Sequence, residues 1–143
     1  MGKFSSSVVF FECDSHLDYV ARLFAEQMQK EGFDINAQKT AKEKWEISIK
    51  KGGMFKSVLG MSTALKVQIH SISPNVLVKT NIGIFAKQAI PSAITMFVLW
   101  PVILAQIWGM VKQAKLDNHV VDVLHKYFSE AVGTAVNRKN LDD

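Results

Sequence analysis

From Gln88 to Val111 the chain runs twenty-four residues without a charged side chain, QAIPSAITMFVLWPVILAQIWGMV. A segment with no charge on any side has no evident wet face, so whatever fold forms must surround it with lipid or protein. At about 1.5 Å per residue a helix over this run measures roughly 36 Å, against a bilayer hydrocarbon core of roughly 30 Å. Ten of its residues are Val, Ile, Leu or Phe, and together they favour insertion by about 3 to 6 kcal/mol.

Two residues complicate a straight span. Pro101 sits near the middle, where it removes a helical hydrogen bond and crowds the preceding turn, so the spacing predicts a kinked helix or a helical hairpin. Trp100 lies beside it, although tryptophan prefers the membrane interface, whereas Trp108 near the second end suits that position. Lys79 and Lys87 before the run nearly balance Lys112 and Lys115 after it, so flanking charge sets no orientation. Three arrangements remain open: a span, a re-entrant dip into one leaflet, and a helix buried in the core or in a homo-oligomer interface. In each, Phe97, Leu99, Trp100, Ile103, Ile107 and Trp108 are the candidate membrane or interface residues.

The remainder of the 143 residues suffices for one domain with an ordinary core. The excess of positive charge belongs wholly to the first part of the chain. Residues 1–87 hold twelve Lys or Arg against eight Asp or Glu, while residues 88–143 hold five of each. A single cysteine, Cys13, excludes an internal disulfide, and no Cys/His spacing fits a zinc site. The beginning MGKFSSS lacks the apolar core of a secretory signal; it matches the M-G-x-x-x-[ST] myristoylation pattern, which is short enough to recur by chance. These features predict the cytoplasmic face of a membrane, or the cytoplasm itself.

Local patterns predict an α+β fold. SSSVVFFEC reads as a buried strand, and Leu17, Val20, Phe24 and Met28 then fall on one helical face between a cap at Asp14 or Ser15 and Gly32. Trp45, Ile47 and Ile49 alternate with polar residues, and Leu65, Val67 and Ile69 do the same before the turn Ser73-Pro74-Asn75 and Val76, Leu77 and Val78. Apolar residues at three- and four-residue spacing mark an amphipathic helix over 115–137, with a fraying tail beyond. The whole predicts one domain, 1–143: strands and a helix over 1–87, the apolar segment 88–111, and the last helix on a small antiparallel sheet of four to five strands.

No catalytic constellation emerges. GGMFKSVLG departs from the phosphate-loop order, no serine lies in G-x-S-x-G or S-x-x-K, and the nearest histidines, His119 and His125, stand about 240° apart on a helix. No enzyme, cofactor or metal is expected. Lysines interleave with carboxylates, as in Lys42-Glu43-Lys44, and no aromatic-studded basic stripe suggests nucleic acid. Around Gly52-Gly53, however, Lys50, Lys51 and Lys56 could meet anionic headgroups while Met54 and Phe55 enter the acyl boundary; a solvated hairpin connection is the plainer reading.

KKGGMFKSVLGMSTALKVQI, then FVLWPVILAQIWG, then KQAKL resembles small uncharacterised bacterial domains, some of which accompany zinc-ribbon modules. The resemblance covers roughly residues 44–116 and brings no catalytic residues. It implies a bacterial, membrane-associated α+β domain. The expectation is a non-enzymatic membrane-associated module presenting its sheet to a protein or lipid partner; the alternative is a soluble binding or adaptor protein that buries the segment internally or between copies.

Overall fold

In chain order the elements are β1 (Ser5–Phe10), α1 (Leu17–Lys30), β2 (Asp34–Ala41), β3 (Lys44–Lys50), β4 (Ser57–Val58), β5 (Met61–Ile72), β6 (Asn75–Ala86), α2 (Ala93–Gln113), α3 (Leu116–Val132) and β7 (Arg138–Asn140). The computed structural model describes residues 4–51, 55, 57–58, 61–86 and 93–141, and for Ser57, Val58, Met61, Phe85, Ala86 and residues 93–101 it describes the backbone alone. The strands form one antiparallel sheet in the order β2-β3-β5-β6-β1-β7, with the short β4 attached to β5. This is the expected α+β architecture with more strands than the four to five foreseen. The helices pack on one face of it.

Alternation explains that layering. Trp45, Ile47 and Ile49 of β3 lie opposite Ile69, Val67 and Leu65 of β5, which lie opposite Val78, Thr80 and Ile82 of β6, and directly opposed residues share a sheet face. All are buried, with Val8 and Phe10 of β1, beneath Leu17, Val20, Phe24 and Met28 of α1 and Val120, Leu124 and Phe128 of α3. Burying each such side chain is worth about 1.5–3 kcal/mol. Phe10 sits between His125 and Phe128, with ring centroids 5.7 and 5.4 Å away.

Helix α1 starts differently from the sequence expectation. Asp14–His16 form a 3-10 turn, and neither that turn nor α1 has a side-chain cap. Its end agrees: Gly32 adopts φ 94°, and Phe33 N–H donates to the Met28 carbonyl at 3.1 Å, the Schellman geometry for which glycine is favoured. The Ser73-Pro74-Asn75 turn closes a hairpin of two twelve-residue strands, through a cis Ser73–Pro74 bond. Pro74 O accepts from Cys13 N–H, tying that turn to the end of β1.

For the second half, one open choice is decided and two expectations are corrected. Residues 93–113 form one helix through Pro101 rather than a helical hairpin. The amphipathic helix stops at Val132, not 137, because Gly133 takes φ 95° and ends it. Part of the supposed fraying tail is strand: Arg138–Asn140 pair with Val8–Phe10, and Leu141 N–H donates to Ser7 O at 2.9 Å. Three residues with little apolar content give no strand signal by themselves; the unpaired edge of β1 supplies it.

Candidate functional site

Three parts of the molecule are built differently from an ordinary core, and the first is α2. Its back half docks on the domain: Ile107, Trp108 and Val111 are buried and Ile103 and Leu104 are half-buried, a stripe at helical spacing. Ile107 and Trp108, expected to face membrane or an interface, thus belong to the domain's own core. The other side of this half shows Val102 at 60% exposure, with Ala105, Gln106 and Gly109 also exposed. Phe97, Leu99 and Trp100 lie in the front half, on helical backbone, with side chains outside the described residues. Among the described residues no helix is long and apolar enough to cross a membrane.

The second part is the sheet face turned away from the helices. Strand register places Lys44, His70, Leu77, Val9 and Lys139 in one cross-strand row there, and Glu46, Gln68, Lys79 and Ser7 in the next. With Lys50 and Lys66, five described lysines oppose two carboxylates, Asp34 and Glu46. The surplus of three positive charges is most of the chain's formal +4. Lys66 and Glu46 pair at 3.5 Å. The face is not wet throughout, since Ser62, Ala64 and Gly83 at one end are buried. Beside them a hollow of about 400 Å³ is lined by Asp34, Asn36, Ser48 and Lys50.

Of the basic loop residues, Lys50 points onto this face, opposite Asp34, whereas Lys51 reaches Phe33, with its Nζ 4.8 Å from the ring centre. Lys56 lies outside the described residues. Phe55, read from sequence as a membrane-entering side chain, packs half-buried against the core.

The third part is a polar corner where the α2–α3 turn meets β1 and β7. Lys112 Nζ donates to Asp117 Oδ2 at 2.8 Å, and Arg138 donates to Asp122 Oδ1 at 3.0 Å. Asp117 is only 4% exposed, and its other oxygen, Oδ1, has no hydrogen-bond partner among the described residues. The cavity between these groups measures about 420 Å³.

Elsewhere the polar groups hold elements together. Asp18 accepts from Trp45 Nε1 at 2.8 Å and from Lys39 Nζ at 2.9 Å; these hydrogen bonds, with the charges of Lys39 and Arg22, hold its carboxyl below the usual carboxylate range. Burial would raise the Glu31 carboxyl, but hydrogen bonds from Gln27 and His119 and the charges of His119 and Lys51 lower it overall. The Cys13 thiol is pushed up to about 12, chiefly by burial and further by Asp14, so it is no ready nucleophile. No group of three or more metal-ligating side chains occurs among the described residues. The chain matches no protein-family model, and the search of curated proteins yields no match either.

Sequence reasoning found the apolar segment but not the corner. Asp117 falls in the first turn of the helix expected over 115–137; its burial accompanies the tight turn at Ala114 and Lys115, where Lys115 takes φ 58°.

Proposed function

We propose that the chain is a non-enzymatic, membrane-associated α+β module on the cytoplasmic face of a membrane. In this reading the front half of α2 enters one leaflet, the back half fixes it to the domain, and the lysine-rich sheet face is offered to a lipid or protein partner. The carrying observation is that α2 is one helix whose back half is docked on the domain. Residues 93–101 are AITMFVLWP; at about 100° per residue, Phe97, Val98, Leu99 and Trp100 distribute apolar groups around the whole axis. Nine residues rise about 14 Å, close to the roughly 15 Å of one leaflet. Seven peptide links separate Ala86 of the sheet from Ala93, a reach of at most about 25 Å. Both flanks therefore stay with one domain, which favours a dip over a span.

Flotation of the full chain with phospholipid vesicles tests the proposal. The wild type should float and resist alkaline carbonate, and Phe97→Lys/Leu99→Lys should remain folded by circular dichroism yet lose at least about tenfold in partition, since each central lysine costs about 2.5–3.5 kcal/mol. A folded double variant that floats like the wild type sinks the idea. The burial of Ile107, Trp108 and Val111 supports a second reading, a soluble binding or adaptor protein whose front half is covered by another copy. Light scattering without lipid would then show a defined oligomer that Phe97→Lys/Leu99→Lys splits.

A further inference from the structure

The outer face of the sheet breaks the alternation rule near one end. Positions turned away from the helices are ordinarily polar, yet Val9 and Leu77 stand directly opposite each other there, with Ile72, Phe11 and Leu141 in the adjoining rows. Phe11 and Leu141 extend the ladder of β1 with β7: Phe11 N–H donates to Asn137 O at 3.0 Å, and Leu141 N–H donates to Ser7 O at 2.9 Å. Ile72 is 52% and Leu141 43% exposed, while Val9, Phe11 and Leu77 are half-buried. None of the five packs into the core beneath the helices. Lys44 and Lys139 close the Leu77–Val9 row at its two ends, and Lys79 follows Leu77 in the next row. Of the two carboxylates on this face, Glu46 is paired with Lys66, and Asp34 lies opposite Lys50 at the far end. Beyond the strand ends, Glu12 follows Phe11 and Glu43 stands beside Lys42, which still leaves the face positive.

We propose that this patch docks on an anionic phospholipid surface, with its apolar side chains at the acyl boundary and Lys44, Lys79 and Lys139 among the headgroups. The proposal deepens the membrane reading and rests on it for the choice of a lipid partner, but not on α2. A bilayer surface offers negative charge with an apolar layer just beneath, the two chemistries that this patch presents side by side. Each lysine held near such a surface strengthens adsorption about fivefold. A protein partner fits less well. Protein interfaces are poor in lysine and enriched in Arg, Tyr and Trp, and none of those three types lies on this face among the described residues. A second copy of the chain would set lysine against lysine.

Flotation of the full chain in a Phe97→Gln/Leu99→Gln background, which weakens insertion of α2 without adding charge, is the test. Vesicles of phosphatidylcholine alone are compared with vesicles of phosphatidylcholine and phosphatidylserine. The background protein should bind the serine-containing vesicles at least about tenfold better, and added salt should remove the difference. Lys79→Glu/Lys139→Glu, folded by circular dichroism, should cost about 25-fold or more, at about fivefold for each lysine lost. Ile72→Ser/Leu141→Ser, at exposed positions, should weaken binding several-fold at unchanged charge, a loss that a purely electrostatic contact would not show. The proposal is overturned if the background protein binds both vesicle types alike, or if either double variant binds like its parent. It is overturned too if polyglutamate or duplex DNA is held at a salt concentration that releases the vesicles, which would assign the face to a protein or a nucleic acid. Wild type that floats with phosphatidylcholine alone while the lysine variant changes nothing would leave the α2 reading standing and remove this one. Serine-dependent binding lost in the lysine variant, with no flotation of the wild type on phosphatidylcholine, would do the reverse.

Discussion

Helices α2 and α3 are neighbours joined by a two-residue turn, yet they meet the same burial problem with opposite means. Helix α3 buries Leu116, Val120, Leu124 and Phe128 and turns Asn118, Asp122, Lys126 and Glu130 to water. Its sheet need cover it on one side only. Helix α2 has no charged residue before Lys112, and along its described back half the domain covers it on one side. A helix with a polar face can finish its burial inside a small domain; a helix without one needs cover on every side, and 143 residues offer little to spare.

That contrast can be broken most forcefully in the core. Phe128→Ala should cost about 3–5 kcal/mol by urea unfolding, because Phe128 is fully buried against Phe10. Ile107→Ala should cost about 2–5 kcal/mol, whereas Leu99→Ala in the front half should move stability by less than about 0.5 kcal/mol in lipid-free buffer. Equal losses at 99 and 107 would mean that the whole helix is core, and the division of α2 would fall.

Smaller effects sharpen the difference between the two sheet faces. Lys66→Glu/Lys79→Glu should leave unfolding nearly unchanged while weakening adsorption to anionic vesicles by about 1 kcal/mol or more per site, an effect that added salt suppresses. Unaltered vesicle binding would remove lipid as the partner of that face.

The smallest effect is acid sensitivity. Asp18 and Glu31 are held below their ordinary 3.8 and 4.5, so the unfolded chain binds more protons near those values. Their stabilisation is complete above about pH 4.5 and is lost as pH falls through the lower folded values. Asp18→Asn should therefore lower stability at pH 6 by up to about 1 kcal/mol and converge with the wild type near pH 2; a constant offset at both pH values would contradict this.

Much of the fold was legible because burial wrote a period into the chain. Leu17, Val20, Phe24 and Met28 announced a helix, Trp45, Ile47 and Ile49 a half-buried strand, and Gly32 a helix end that the Schellman bond completes. Arg138–Asn140 carried no such period, since an exposed edge strand owes its shape to its neighbour. The polar corner was illegible for a related reason: Ser6, Asp117 and the strand bearing Arg138 and Asn140 are far apart in sequence, and each alone looks like ordinary surface.

The sequence by itself determined that residues 88–111 lack a charged face and must be surrounded, because hydrophobic burial depends on composition, which any fold inherits. Only the tertiary structure decided how that demand is divided. It fixed Ile107, Trp108 and Val111 in the core, turned Val102 outward and set the surplus lysines on the face opposite the helices. Cover is a relation between surfaces distant in the chain, and the packing of the sheet against α1 and α3 takes the last turns of α2 into the same core.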